Sequence, residues 1–238
     1  MAPREDFAAE LFSLRRLAIR DLIAGLARGN LTSPATAFAT LESVFTDLVT
    51  VYGEQAAMSA ARYLEIDRAA AGVLRSLPGL AVSGGVPGDQ VRSSLSWAVA
   101  PLGAGDQALT RRQLEGTLLR LVQQPARETI WDSTRRAGTT YARRPLPGAC
   151  DWCLMLSSRG AVYTADSVSS TTGRSTGSSG RPEGLSYHDW CGCIPVEVRT
   201  PDDLPPENRL LQDLWESNNS GGDLNSWSRF LAENPVRL

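Results

Sequence analysis

Every thiol in this chain, and its one imidazole, falls in two short clusters: Cys150-Asp151-Trp152-Cys153 and His188-Asp189-Trp190-Cys191-Gly192-Cys193. Sulfur and imidazole nitrogen are the donors zinc takes in tetrahedral sites, and a Cys-x-x-Cys turn brings two sulfurs within reach of one ion. Cys150, Cys153, His188, Cys191 and Cys193 are therefore five candidates for four positions, and the pattern predicts a structural zinc site. Two other chemistries use the same residues. Redox disulfides need an even cysteine count, but disulfide frameworks suit small secreted chains. A cysteine nucleophile with His188 as its base needs only two groups in reach, and it leaves three cysteines unexplained.

The rest of the chain must hold these clusters. A length of 238 residues allows one large domain or two modest ones. The formal charge of -2 excludes a protein that coats nucleic acid through its whole surface. All 24 basic residues are arginine, which fits a GC-rich coding bias and still allows local arginine clusters to grip carboxylates or phosphates. No apolar run reaches the length of a membrane span. The polar start, Met1 to Asp6, lacks a signal-peptide core. The expectation is a reducing, cytosolic setting with no membrane partner, where thiols favour metal. The loop Gly84-Gly85-Val86-Pro87-Gly88 lacks the Gly-Lys-Ser/Thr ending of a phosphate cradle, and no small-molecule substrate is expected.

In chain order, Phe7, Leu11, Leu14, Ala18, Leu22 and Leu26 recur at helical spacing. Ser33-Pro34 then reads as an N-cap with proline in the first turn, opening a helix that carries Phe38, Leu41, Phe45, Leu48 and Tyr52. Alanine content extends it past Gly53 to about Ala71. A further helix is predicted over Val91 to Val99, and a longer one from Thr110 to about Ala137. Leu114, Leu118 and Leu121 would be its buried side, with Arg111, Arg112, Arg120, Arg127, Arg135 and Arg136 on a solvated or docking face. Short strands are predicted at Ala161–Tyr163 and Cys193–Val198, with a helical turn after Cys153 ended by Gly160. Such a module has a weak core of its own, which a structural zinc would strengthen. Residues 167–184, rich in serine, threonine and glycine, read as a flexible insertion. The prediction is a mainly α protein: a helical body over 1–145, a small α+β zinc-stapled module over 146–198, and an extended C-terminal linker and docking tail over 199–238. In that tail, the patches Leu210-Leu211-Leu214-Trp215 and Trp227-Phe230-Leu231 would either fold back on the body or anchor a partner as helices in a groove.

Several phrases, in order, resemble the phage Mu protein F-like (MuF-like) minor head proteins of actinobacterial tailed phages. They are Tyr52-Gly53 with the alanine segment Ala56–Ala61, Arg127-Glu128-Thr129, and Ala142-Arg143. The sharper ones follow: Cys150-x-x-Cys153, Ser157-Ser158-Arg159-Gly160-Ala161-Val162-Tyr163, and Tyr187-His188-x-x-Cys191-x-Cys193. The resemblance covers roughly residues 40 to 198. It implies a virion protein of the head interior or portal vertex, made in the host cytoplasm. Its partners would be the portal protein, the major capsid protein, or both, with packaged DNA reached through arginines. Some relatives of this kind are labelled capsid maturation proteases. The residues carry no chemistry for that label: a serine triad needs a histidine base, the single histidine reads as a ligand, and neither His-Glu-x-x-His nor any lysine is present. No catalytic residue is expected. A third reading, a nucleic-acid-binding zinc module, would use Trp152, Trp190 and nearby arginines for stacking and backbone contact.

Overall fold

The computed structural model describes residues 3–29, 31–162, 189–191, 193–218 and 224–236. Among them are seven α-helices, two short 3₁₀ turns and two strands. The insertion predicted over 167–184 and the candidate ligand His188 lie outside the described residues. No described helix is long and apolar enough to cross a membrane. The described residues fall into two compact units. One comprises 3–72 and 82–129 with Asp189 and Trp190; the other comprises 73–81, 130–162 and 191–236.

The first unit is helical. Helix α1 (Pro3–Leu26) buries Phe7, Leu11, Ala18 and Leu22, the stripe its periodicity implies. Helix α2 (Pro34–Ala70) starts where expected: the Ser33 hydroxyl accepts the Thr36 N–H at 3.2 Å, with Pro34 in the first turn. It runs unbroken through Gly53, for a packing reason. A Cβ there would sit 3.1 Å from Pro125 Cγ, so the missing side chain makes room for the proline ring. Helix α3 (Gly88–Val99) and the first part of α4 (Gln107–Ala137) close a core of Leu22, Leu41, Phe45, Leu95, Leu114 and Leu118. Phe7 stacks on Tyr63 with ring centroids 4.9 Å apart.

Helix α4 departs from the simple two-faced reading. Its middle buries polar side chains, including Thr117, Gln123, Gln124, Arg127 and Thr129. Arg127 is 3% exposed and donates to Gln123 Oε1 at 2.6 Å. Arg120 is ion-paired at 2.7 Å with Asp189. The expected arginine face therefore does not exist as one face, because burial takes its centre. Arg111, Arg112, Arg135 and Arg136, nearer the ends, are exposed.

In the second unit α4 stops at Gly138, whose φ of 65° a side chain would strain. The chain then enters strand β1 (Thr140–Pro145), which pairs antiparallel with β2 (Cys193–Val198), Pro145 opposite Cys193 and Thr140 opposite Val198. The partner of β2 is thus β1. Of the strand predicted at Ala161–Tyr163, Ala161 and Val162 are not extended in a ladder, and Tyr163 lies outside the described residues. Gly160, at φ 68°, turns the chain just before them.

The expected linker and tail over 199–238 are folded. Thr200 and Asp203 form a capping box around the 3₁₀ turn Pro201–Asp203. Helix α6 (Pro206–Asn218) and helix α7 (Leu224–Glu233) follow. Their apolar residues Leu211, Trp227 and Leu231 join Leu154 in a separate small core, with Trp227 fully buried and edge-on to Trp215 at 5.1 Å. Both patches pack within this unit around Leu154, with Leu210 left exposed.

Candidate metal centre

Helix α5 (Asp151–Ser157) begins directly after Cys150, so one helical turn carries Cys150 and Cys153 on the same side. The other half of the site comes from the approach to β2: Cys193 opens the strand, and Cys191 lies two residues before it. The β1–β2 ladder brings these two segments together.

Cys153, Cys191 and Cys193 are buried, and their sulfurs all lie within 4.8 Å of one another. The Sγ of Cys191 stands 3.5 Å from that of Cys153 and 3.2 Å from that of Cys193. None of the four cysteines is in a disulfide. Sulfurs around a tetrahedral zinc at about 2.3 Å would be about 3.8 Å apart, so a few tenths of an ångström of outward movement would admit an ion. Cys150 is exposed and shares a hydrogen bond with the Cys153 thiol. Of the five candidate ligands, the structure brings Cys153, Cys191 and Cys193 together, with Cys150 beside them.

Crowding and burial disfavour the thiolate forms of the cluster. Hydrogen bonding with Cys150, then with Cys191 and Cys193, and then burial all push the Cys153 thiol far above the ordinary thiol range. For Cys193, the hydrogen bond with Cys153 lowers the value. The hydrogen bond with Cys191 and full burial outweigh it, leaving the thiol pushed up to about 12, while the Arg143 charge pulls it down slightly. Crowded buried thiols hold their protons unless positive charge is supplied. Arg143 is itself buried, at 1% exposure.

Asp189 and Trp190, which precede Cys191, are held within the first unit. The Asp189 carboxylate accepts from Arg120 Nε at 2.7 Å. Trp190 has φ 63°, the one non-glycine positive φ among the described residues. A Cβ at Gly116 would lie 2.5 Å from Trp190 Nε1 and 2.9 Å from Asp189 Cβ, so only glycine leaves room for this pair on α4. Trp190 is still 42% exposed. Sequence reasoning missed Gly116 and Arg120 because their roles depend on a contact more than sixty positions away. It missed Arg143 because an arginine before a proline-rich stretch gives no sign of burial.

The described residues define a mainly α-helical protein with a small strand pair and a buried cysteine cluster able to hold a metal ion. A family model described as VG15 protein matches residues 2–217. The chain belongs to that family, a family of phage proteins. No curated protein and no solved structure matches it.

Proposed function

We propose that this protein is a structural component of a tailed-phage head, a minor head protein of the MuF-like kind seated with the portal or the major capsid protein. In this reading its cysteine cluster holds one structural zinc. Cys153, Cys191 and Cys193 supply three ligands, and Cys150 or His188 supplies the fourth. The observation that carries the metal part is the convergence of three buried sulfurs within 4.8 Å from segments nearly forty positions apart. Family membership and the ordered motif phrases support the head assignment. When bound, zinc would neutralise the thiolates and supply folding free energy to a unit whose described residues form a two-stranded sheet. Arg112 and Arg136, exposed near the two ends of α4, are the side chains through which that helix would meet packaged DNA.

Elemental analysis of the purified protein tests the metal part. One zinc per chain is expected, lost in Cys153→Ser and in Cys193→Ser. Metal-free protein of native stability would refute it. Co-expression with the portal and major capsid proteins tests the assembly part. Co-purification with either is expected, and a monomer that joins neither would refute it. A prohead protease would instead cleave scaffold or capsid protein in a way that His188→Gln abolishes without loss of metal.

A further inference from the structure

The four thiols differ in access. Cys153, Cys191 and Cys193 are buried and Cys150 is exposed, so a dissolved reagent meets Cys150 first. The Cys150 side chain makes no capping bond at the start of α5 and shares a hydrogen bond with the Cys153 thiol. The Leu154 N–H donates to the Cys150 carbonyl at 3.0 Å, so Cys150 belongs to the first turn and lies three residues before Cys153 on it. Cα atoms at that separation on a helix are about 5 Å apart, inside the range of about 4.4–6.8 Å that a disulfide bridges. On the inner side of the pair, the Cys153 sulfur stands 3.5 Å from that of Cys191.

We infer that Cys150 is a site of reversible oxidation by hydroperoxides, with Cys153 as the thiol that resolves it. In the first step the Cys150 sulfur attacks the terminal oxygen of the hydroperoxide. The O–O bond breaks, an alcohol leaves (water, for hydrogen peroxide), and Cys150 becomes a sulfenic acid. In the second step the Cys153 sulfur attacks the sulfenic sulfur, the S–O bond breaks, and the hydroxyl leaves as water with the Cys153 proton. Two thiols have then given two electrons to one peroxide, and one disulfide has formed. Exposure selects Cys150 for the first step, and the shared hydrogen bond selects Cys153 for the second. The Cys191 and Cys193 sulfurs are 3.2 Å apart, but both are buried and out of the reagent's reach. Cys153 is a member of the three-sulfur group. Tying it to Cys150 withdraws two of the five candidate donors, and the three that are left fall short of the four a structural zinc takes. Oxidation therefore expels the metal, and exchange with a small thiol restores the site. The expulsion rests on the proposed zinc; the disulfide does not.

The test treats the full chain, as purified, with one equivalent of hydrogen peroxide, blocks remaining thiols with an alkylating agent, and digests with trypsin. The fragment Arg144–Arg159 carries Cys150 and Cys153, and the fragment Ser175–Arg199 carries Cys191 and Cys193, so mass spectrometry separates the pairings. The first fragment should lose two hydrogens and both alkylation sites, the second should be fully alkylated, and dithiothreitol should reverse the change. A zinc indicator dye should register metal at the rate at which the disulfide forms. Cys150→Ser should slow oxidation of the other thiols at least tenfold. A disulfide within the second fragment or between the two fragments would overturn the inference. So would sulfinic acid at Cys150 in place of a disulfide, equal oxidation rates in Cys150→Ser and the parent, or zinc held in full beside the disulfide. Protein purified without zinc that still forms the Cys150–Cys153 bridge would refute the proposed metal and support the oxidation site.

Discussion

Replacing Asn208 should cost more than its place after a proline-rich stretch suggests. Its side chain is fully buried, and Nδ2 donates to the Arg143 carbonyl at 2.9 Å and to the Ser157 carbonyl at 2.8 Å. Pro195 stands opposite Arg143 across the ladder, and proline has no N–H to offer that carbonyl in place of Asn208. The Ser157 carbonyl keeps a longer bond from the Gly160 N–H at 3.3 Å. Losing one ordinary hydrogen bond removes about 1 kcal/mol, and stranding a buried carbonyl costs about 1–3 kcal/mol. Asn208→Ala should therefore destabilise by about 2–4 kcal/mol by the same reasoning. Asn208→Asp should be worse at neutral pH, because a carboxylate would face two carbonyl oxygens. It should recover partly on acidification, when the neutral acid regains a donor. Urea unfolding at several pH values, with zinc held in excess, reads both. A loss below about 1 kcal/mol for Asn208→Ala, or an Asp variant no different from Ala, would refute this account of the tie between α6, β1 and α5.

Gly116→Ala would gain about 1 kcal/mol of helix propensity, yet net destabilisation and a changed tryptophan emission are expected because its Cβ would strike Trp190 and Asp189. A stabilised variant with parent fluorescence would show that the contact is not as described. Gly160→Ala should cost more than Gly138→Ala. Both need a positive φ, but only Gly160 also packs against the Gln212 side chain, while nothing lies within 4 Å at Gly138; equal melting points would count against this. For Asp203, burial alone would raise its pKa, but N–H bonds and charge from Arg199 and the Thr200 N–H bring it below the usual carboxylate value. Its stabilisation should be complete above that usual value and fade as pH falls through the lowered one. Asp203→Asn should accordingly lose stability at pH 7 and converge with the parent in strong acid. A gap that persists unchanged into acid would contradict the sign.

Local signals made the helices legible. Ser33-Pro34 marked the start of α2, and the spacing of Leu114, Leu118 and Leu121 marked the buried side of α4. Cysteine spacing found the candidate site because metal ligands are a short list of residue types. Information carried by distant partners was not legible. Thr140–Pro145 has no clean alternation, with four of its six positions buried, so β1 gave no strand signal. Arg127 and Arg120 looked solvent-facing because sequence shows charge and not the buried Gln123 or the half-buried Asp189 that receives it. The prolines at 201, 205 and 206 suggested a spacer, but Pro201 and Pro206 open the 3₁₀ turn and α6, a place proline also favours.

The pairing of Pro145 with Cys193 is the first rung of a ladder that runs without a break to Thr140 and Val198. One residue added or removed within either strand would flip its side chains to the wrong face. Because Cys193 is both that rung and a member of the sulfur cluster, such an indel should cost the sheet and the metal together.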